Sequence, residues 1–515
     1  MNRRKFLSHS SKLTIPLFLN GFQLSAYSRS PFSASIDNQD KVLVLIQLLG
    51  GNDGLNTLIP LESYDNLFNV RSNIIIPESK ILNVNFEYGF HPAFSEMKDM
   101  HENGIMHVVQ GVAYPNQNRS HFRSTDIWNR ASSAEGNILT GWLGRYFESL
   151  VDDFPDGFPN DEYPHPFAMT IGGQVAGTCQ GSVSNFSMAI NKPEDLLPLS
   201  ETQVNQFPDN KYGRALSYVS DTIAQTNAYA EVIKDAADQG SNLSTLYDDS
   251  LTLSQQLKTV AKLISGGLET QVYIVTLGGF DTHANQVEED DKCIGRHAIL
   301  LSELSKSINA FWDDISLLGL EGRVMGMTYS EFGRQIISNS GYGTDHGTAA
   351  PMFLFGNCLN AGLTGNFPEI SDNVEQQEGT PMQFDFRSVY GNVLKKWFCV
   401  DEVTTQSILN HEVQDLNIFG NCNTSSSENL EVIKDVKLFP NPTSRVINLK
   451  VSNNVSKVNN ILFLDHRGSV VNSAVKLISR NGGQYQYDIS NLMTGNYFIH
   501  VQLLHTNLVK KFIKI

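Results

Sequence analysis

A continuous apolar run near the start of the chain constrains the fold most strongly. Residues 41–49 read KVLVLIQLL, and the glycine-rich segment GGNDG follows directly at residues 50–54. An apolar run without alternation is typical of a strand that is buried on both faces, as in a parallel sheet covered by helices. The sequence therefore predicts a buried strand that ends in a tight loop, inside an α/β domain.

Three further apolar runs predict strands of the same sheet, at residues 105–110, 271–277 and 323–329. Between the strands, residues 215–237 and 251–264 carry apolar side chains mostly at helical spacing. Strands that alternate with helices are typical of a doubly wound α/β domain. The sequence therefore predicts a large, mostly parallel sheet with helices on both faces.

The composition changes after the α/β domain, which is predicted over residues 38–420. Residues 421–431 are mostly polar and predict a linker. Short β-rich runs separated by turn residues then fill residues 432–515. This pattern predicts a small C-terminal all-β sandwich.

The first 35 residues have the layout of an export signal. The adjacent Arg3 and Arg4 precede an apolar stretch at residues 13–22. The paired arginines predict twin-arginine export of a folded protein, and a general secretory signal is the alternative. Both place the mature protein outside the cytoplasm. The apolar stretch is shorter than the roughly 20 residues that span a bilayer, so no transmembrane helix is predicted.

The charge balance excludes one class of partner. The chain carries 38 basic and 54 acidic residues, for a net charge of -16. Such a surface repels phosphate backbones, and no basic patch interrupts it, so no nucleic-acid partner is expected. The five cysteines contain no C-x-x-C pair and predict no zinc ribbon. Cys399 and Cys422 can form a disulfide in an oxidising compartment or remain thiols.

Polar residues directly after the strands are the first candidates for a functional site, because ligands bind at the carboxyl ends of parallel strands. Asp53 follows the first strand and is either a metal ligand or an ordinary turn residue. Asp281 and His283 follow a later strand and project to one side of an extended segment. They can hold a divalent cation together, and oxygen with nitrogen ligands suits zinc or manganese. Alternatively, Asp281 simply orients His283.

Two later segments add candidates. Glu331 is a candidate ligand or general base, and Arg334 can bind an oxyanion or pair with Glu331. Asp345 and His346 lie on a glycine-flanked loop and are further candidate metal ligands.

Residues 118–126 predict the start of a helix. Ser120 and Ser124 are candidate nucleophiles there, because a serine at a helix N-terminus that faces a metal has an activated hydroxyl. The alternative is a serine N-cap with ordinary surface arginines. The candidate substrate-binding residues of this segment are Arg119, His121 and Arg123.

Together these segments resemble domain of unknown function family 1501, over about residues 41–419. The resemblance is carried by GGNDGLNT at 50–57, His91-Pro92, and residues 118–122, 281–283, 330–334, 343–348 and 385–387. That family is similar to the alkaline phosphatase and sulfatase superfamily, α/β metalloenzymes that usually bind two divalent ions. The resemblance implies an alkaline phosphatase-like fold, and it implies the metal ligands Asp53, Asp281, His283, Asp345 and His346.

The chain departs from that superfamily in two places. The superfamily commonly has an Asp-His pair where this chain has Glu331-Phe332, so an imidazole is missing unless Asp345-His346 supplies it. No C-x-P-x-R signature appears, which argues against a formylglycine sulfatase. The resemblance implies an exported hydrolase of small-molecule or polymer phosphate or sulfate esters that uses zinc, manganese or calcium. The alternative is a non-catalytic cell-surface binding protein on a degenerate scaffold.

The C-terminal part resembles the type A sorting domain of the type IX (Por) secretion system, over about residues 432–515. The motifs are LFPNP at 438–442, DISNL with GNY at 488–497, and the closing KKFIKI at 510–515. The resemblance implies that the secretion machinery binds this domain. It also implies delivery through the periplasm to the cell surface or the medium.

Overall fold

The structure is a computed structural model in which the chain divides into two compact units, Met1–Asp40 and Lys41–Ile515. It describes residues 18–19, 22–23, 40–196, 208, 210–371, 373–420, 436–451, 458–464, 471–481, 484–503 and 507–515. In the first unit, strands β1 (Phe18–Leu19) and β2 (Phe22–Gln23) pair antiparallel. The rest of the predicted export signal and the predicted linker lie outside the described residues.

Residues 41–420 contain fourteen of the described strands. They are β3 (Val42–Leu49), β4 (Leu58–Pro60), β5 (Leu82–Asn83), β6 (Tyr88–Phe90), β7 (Met106–Ala113), β8 (Ala168–Ile171), β9 (Ser187–Ile190), β10 (Val272–Gly278), β11 (Val324–Tyr329), β12 (Arg334–Ser338), β13 (Thr344–His346), β14 (Ala350–Phe355), β15 (Gly362–Thr364) and β16 (Phe384–Asp385). The four predicted strands correspond to β3, β7, β10 and β11, each within three residues of the predicted ends.

One nine-stranded sheet has the order β15-β7-β14-β11-β3-β10-β8-β9, with β16 beside β7. Strand β3 pairs in parallel with β10 on one side and β11 on the other. Its central position explains the unbroken apolar run, because both of its faces are covered. Only β14 runs antiparallel to its neighbours, β7 and β11. The sheet is therefore mostly parallel, as predicted.

The α-helices of this region follow in chain order. They are α1 (Gly54–Thr57), α2 (Tyr64–Arg71), α3 (Ser95–Glu102), α4 (His121–Arg130), α5 (Trp142–Glu148), α6 (Lys211–Gln239), α7 (Thr252–Ser265), α8 (Arg296–Leu317), α9 (Phe386–Asn392) and α10 (Glu402–Leu409). The two predicted helices are α6 and α7. Within the described residues, no helix combines the length and the apolar character needed to cross a membrane.

Hydrophobic cores lie on both faces of the large sheet. Along β3, Val42 and Val44 belong to one core, which also contains buried side chains of α3, α6, α7 and α8. Leu43 and Leu45 belong to the other, with side chains of α4, α5, α9 and α10. This alternation follows from the two-residue period of a strand. Helices on both faces confirm the doubly wound α/β domain.

The C-terminal strands form two antiparallel sheets. The four-stranded sheet has the order β17-β18-β21-β20, and the three-stranded sheet has the order β19-β22-β23. Their bounds are β17 (Val436–Phe439), β18 (Val446–Val451), β19 (Val458–Leu464), β20 (Lys476–Asn481), β21 (Gln484–Asp488), β22 (Gly495–Leu503) and β23 (Asn507–Lys514). Side chains from both sheets, including Leu449 and Ile499, share one core. The predicted all-β sandwich is confirmed.

The sequence leaves a disulfide or a free thiol open for Cys399, and in the structure Cys399 is an exposed free thiol. Cys422 itself lies outside the described residues.

Asp314 of α8 anchors the segment that joins α6 to α7. This fully buried carboxylate accepts hydrogen bonds from the backbone N–H groups of Leu243 (2.6 Å) and Ser244 (3.0 Å). It also accepts from Asn242 Nδ2 (2.8 Å) and the Tyr247 hydroxyl (3.0 Å). One side chain therefore satisfies four donors.

We predict that Asp314→Ala destabilises the chain by roughly 3 kcal/mol or more, because it removes four hydrogen bonds to a charged acceptor, each worth about 1.5–3 kcal/mol. Urea denaturation measures the change. The neighbouring Asp313, which is only half-buried, is the matched control, and Asp313→Ala is expected to change the free energy of unfolding by less than about 1 kcal/mol. Equal losses in the two variants would contradict this role for Asp314.

Candidate functional site

Four histidine and aspartate side chains meet beyond the carboxyl ends of β3, β10 and β11. His121 opens α4, Asp281 and His283 follow β10, and His346 ends β13. We call these four residues the His/Asp cluster. Ligand atoms of His121, Asp281 and His346 all lie within 4.8 Å of one another. The parallel sheet brings them together because the loops that follow its parallel strands lie at the same edge of the sheet.

Three imidazoles of the cluster converge on one carboxylate oxygen. The Nε2 atoms of His121, His283 and His346 lie 3.4, 3.1 and 3.2 Å from Asp281 Oδ1. His283 Nε2 and His346 Nε2 are 2.9 Å apart. His121 Nε2 is buried and has no hydrogen-bond partner. A His/Asp group with this arrangement can hold a metal ion.

Glu331 orients the first imidazole of the cluster. Its buried carboxylate accepts a 2.7 Å hydrogen bond from His121 Nδ1 and a 2.9 Å bond from the Gly50 backbone N–H. The buried Phe332 ring packs against His121 and His346, with ring centroids 4.9 and 4.6 Å away. Because a carboxylate accepts, the His121 proton is on Nδ1, which leaves the Nε2 lone pair facing the cluster.

The other two imidazoles are held in the same manner. His283 Nδ1 donates to Asp345 Oδ1 at 2.7 Å, and His346 Nδ1 donates to the Arg119 carbonyl at 2.8 Å. Hydrogen bonding to His283 lowers the pKa of Asp345 and so keeps its carboxylate ionised. All three imidazoles therefore carry a fixed Nδ1 proton, which is how proteins orient histidine ligands toward a metal.

Arg334 holds Asp281 in place. Its side chain is 1% exposed, and Nη2 donates to Asp281 Oδ1 at 2.8 Å. The same guanidinium donates to the carbonyls of Gly50, Gly51, Phe280 and Thr344. Burial alone would raise the pKa of Asp281, but the hydrogen bonds from Arg334 and His346 outweigh it and lower the pKa to about 2.

Arg334 was predicted to bind substrate or to pair with Glu331. The structure instead turns its guanidinium toward backbone carbonyls and Asp281. A buried guanidinium with this many partners does not offer donors to a ligand. Arg334 therefore acts on the site by fixing the loops that carry Asp281.

Asp53 lies apart from the cluster, in a buried ion pair. Its carboxylate accepts from Arg71 Nη1 at 3.1 and 3.0 Å and from Gln286 Nε2 at 2.7 Å. Burial alone would raise the pKa of Asp53, and the charge of Arg71 and the neighbouring hydrogen bonds more than offset it, so that the pKa is lowered. Asp53, the candidate metal ligand of the first loop, is thus paired with an arginine.

The two candidate nucleophiles have different environments. Ser124 is fully buried, and its hydroxyl contacts the Tyr114 hydroxyl (2.9 Å), Gln117 Nε2 (2.9 Å) and the Glu331 carbonyl (2.5 Å). None of these three partners is a side chain of the His/Asp cluster. Ser120 is exposed, stands at the N-cap of α4 and makes no side-chain capping bond. Ser120 is therefore the accessible hydroxyl of the two.

The two arginines of the same segment also differ. Arg123 pairs with Asp126 at 3.0 Å and donates to the carbonyls of Ala134 and Gly136. Arg119 is half-buried, and within the described residues its guanidinium makes no hydrogen bond or ion pair. Since the Arg119 carbonyl contacts His346, the backbone of this arginine lies directly beside the cluster.

A cavity of about 420 Å³ opens onto the cluster. Its polar lining includes His121, Asp281 and Glu331. The remaining lining residues are Leu49, Gly50, Phe122 and Thr125. The cavity therefore combines ionisable and apolar side chains in its lining.

Asn339 was not predicted from the sequence, and its side chain links the segments that carry His283 and Asp345. Its side chain donates to the His283 carbonyl (2.9 Å) and to Asp345 Oδ1 (3.2 Å). It also accepts from the N–H groups of Gly341 and Gly343. The spacing Asn-x-Gly-x-Gly is a turn signal that points to such an asparagine.

Two family models match the sequence. Residues 244–396 match the protein of unknown function DUF1501. Residues 437–515 match the secretion system C-terminal sorting domain. The chain thus has one segment similar to the DUF1501 family and another similar to secretion sorting domains. The first of these segments carries Asp281, His283, Glu331, Asp345 and His346, whereas His121 lies before it.

Solved structures of the alkaline phosphatase and sulfatase superfamily resemble the chain. The alkaline phosphatase superfamily protein of Vibrio parahaemolyticus has 7% identity and a TM-score of 0.28, covering 91% of this chain and 78% of its own. The PsFucS1 sulfatase of Pseudoalteromonas sp. has 10% identity and a TM-score of 0.32, covering 89% and 83%. The SpPMH phosphonate monoester hydrolase of Silicibacter pomeroyi has 8% identity and a TM-score of 0.29, covering 92% and 89%. No curated protein matches the sequence.

Proposed function

We propose that the chain is an exported, metal-dependent hydrolase of phosphate or sulfate esters. The observation that carries the proposal is the convergence of three imidazole Nε2 atoms on Asp281 Oδ1, at 3.1 to 3.4 Å. Because each Nδ1 atom is held by an acceptor, the three Nε2 atoms face one another and a carboxylate oxygen. A metal cation bound among these atoms would be stabilised by all four of them.

The donor set favours one kind of ion. Three imidazoles and one carboxylate suit zinc, and also manganese, whereas calcium is bound by six to eight oxygens. The unpartnered, buried His121 Nε2 fits a coordinating nitrogen. We therefore propose zinc or manganese, with His121, Asp281, His283 and His346 as ligands, and we do not retain calcium.

Each surrounding residue has a task in this proposal. A divalent ion held by the cluster would polarise an ester oxygen and lower the pKa of water. Glu331 and Asp345 keep the Nδ1 protons of His121 and His283 in place, and Arg334 holds Asp281. The unpaired guanidinium of Arg119 is the group available to bind the oxyanion of the ester. Ser120 remains the candidate side-chain nucleophile.

The ends of the chain support export. The C-terminal sorting domain marks the chain for secretion. We propose twin-arginine export through residues 1–35, a folded domain over residues 38–420, and recognition of residues 432–515 by the type IX machinery after the linker at 421–431. This order delivers a folded and metal-loaded domain through the periplasm to the cell surface or the medium.

Metal analysis tests the proposal first. Chain purified without chelators is expected to carry about one equivalent of zinc or manganese, because the His/Asp cluster is a single group of candidate ligands. It should hydrolyse at least one member of a panel of aryl phosphate, phosphodiester and aryl sulfate esters. Dialysis against a chelator should abolish turnover, and the same ion should restore it. A chain without metal that hydrolyses none of these esters would instead be a surface binding protein.

A further inference from the structure

An exposed phenylalanine stands at the mouth of the cavity beside the His/Asp cluster. Phe122 is 91% exposed, the largest exposed fraction of any large apolar side chain in the part of the chain that the structure describes. It also lines the cavity that reaches Asp281 and Glu331. Single exposed apolar side chains are common, so the position of Phe122 matters more than its exposure.

The helix fixes that position relative to the metal ligands. Phe122 directly follows His121 in the first turn of α4, and Thr125 comes three residues later. Residues three and four apart share a helix face, so Thr125 lies beside both Phe122 and His121. All three line the cavity, whereas Ser124, Ile127 and Trp128 form the buried face of α4. The ring is therefore held by a rigid element next to the cluster.

The cavity joins two kinds of chemistry. Two of the lining residues, His121 and Asp281, belong to the His/Asp cluster, where the proposed hydrolase binds the anionic ester group. The lining also includes the apolar side chains of Phe122 and Leu49 and the side chain of Thr125. Flat rings stack on an exposed aromatic face and remove apolar surface from water on both sides, while an acyclic chain covers less of the ring.

We propose that Phe122 is a stacking platform that selects esters with a ring in the group attached to the ester oxygen. This inference rests on the proposed hydrolase function and names its substrate class. The shared chemistry is a ring with an apolar face, and both an aryl group and a pyranose provide one. Phe122 sets specificity through binding and does not contact the reacting atoms.

Two measurements on the full metal-loaded chain test this inference. The first is hydrolysis of phenyl, glucopyranose 6-O- and n-propyl esters of phosphate and of sulfate. The second is calorimetric binding of phenylphosphonate and n-propylphosphonate, which are not hydrolysed. For Phe122→Ala, we expect KM for the ring esters and Kd for phenylphosphonate to rise roughly tenfold. The values for the propyl compounds and kcat should change less than about twofold.

Two variants separate stacking from a structural effect. Phe122→Trp retains a flat ring and should restore binding to within about threefold of the unaltered chain. Phe86, which is 77% exposed and does not line the cavity, is the matched control, and Phe86→Ala should alter none of the values. Comparison of the phenyl and glucopyranose esters then shows which ring is the better substrate.

The results distinguish the two proposals. Equal losses for phenyl and propyl compounds, or no loss in Phe122→Ala, overturn the platform while the hydrolase stands. Phenylphosphonate binding that depends on Phe122, without hydrolysis of any ester, overturns the hydrolase while the platform stands. A chain that neither binds the phosphonates nor hydrolyses the esters overturns both.

Discussion

Replacing Asp281 by alanine is expected to lower the affinity for zinc or manganese by more than about a hundredfold and to abolish ester hydrolysis. Loss of a residue that only orients a ligand reduces metal affinity by about 10–100-fold, and Asp281 Oδ1 is the atom on which three imidazoles converge. Titration with a competing chelator measures the affinity. The fold should persist, because Arg334 keeps its bonds to Gly50, Gly51, Phe280 and Thr344.

The chain offers a matched control nine positions further on. Asp290 is exposed and belongs to the acidic run EEDD at residues 288–291, a pattern typical of a solvated surface. Asp290→Ala is expected to leave metal content and turnover unchanged, while Glu331→Gln should fall between the two variants because it disturbs only the orientation of His121. Full metal content in Asp281→Ala would show that the His/Asp cluster is not the metal site.

Much of the fold follows from short stretches of sequence. The run KVLVLIQLL predicts a strand buried on both faces, and β3 lies at the centre of the sheet between β10 and β11. The antiparallel β14 and the short strands β15 and β16 were not predicted, because their pairing with β7 and β11 depends on partners distant in sequence. Strand β20 also carries no apolar run, so its place depends on β21.

The residues of the His/Asp cluster were all singled out from the sequence, and the proposed function gives some of them other roles. Asp281, His283 and His346 were expected to be ligands, and the structure brings them together. His121 was assigned to substrate binding, because nothing in the sequence relates a helix N-terminus to the loop after β10. The Asp345 carboxylate accepts the hydrogen bond from His283 Nδ1. Residue types alone do not distinguish a carboxylate that orients a histidine from one that binds a metal.

The role of Asp53 could not be predicted, because its partner gives no signal. Arg71 at the end of a short helix is typical of a surface residue, yet its side chain is fully buried. Its Nε donates to the Ile336 carbonyl (2.8 Å) and Nη2 to the Gln335 carbonyl (2.6 Å). Arg71 thus ties the loop after β3 to β12, which begins at Arg334. The ion pair supports the site without entering it.

Arg71→Met is expected to destabilise the chain by about 3–5 kcal/mol, because it leaves a buried carboxylate without its charged partner. Burial is the largest single influence on the pKa of Asp53, so without Arg71 we expect that pKa to rise above its ordinary value of 3.8. The loss should therefore shrink as the pH falls through that raised pKa toward 3.8. In the unaltered chain the pKa of Asp53 is lowered, so its contribution to stability is fully present above pH 3.8 and is lost only below it.

Urea denaturation of Arg71→Met and of the double variant Arg71→Met, Asp53→Leu measures the pair. The double variant removes both charges and should recover much of the lost stability, since apolar replacements of buried ion pairs are often neutral. Lys98, which pairs with Glu102 at the surface, is the control, and Lys98→Met should cost less than about 1 kcal/mol. A double variant no more stable than Arg71→Met would show that the carbonyl contacts of Arg71, rather than its charge, stabilise this loop.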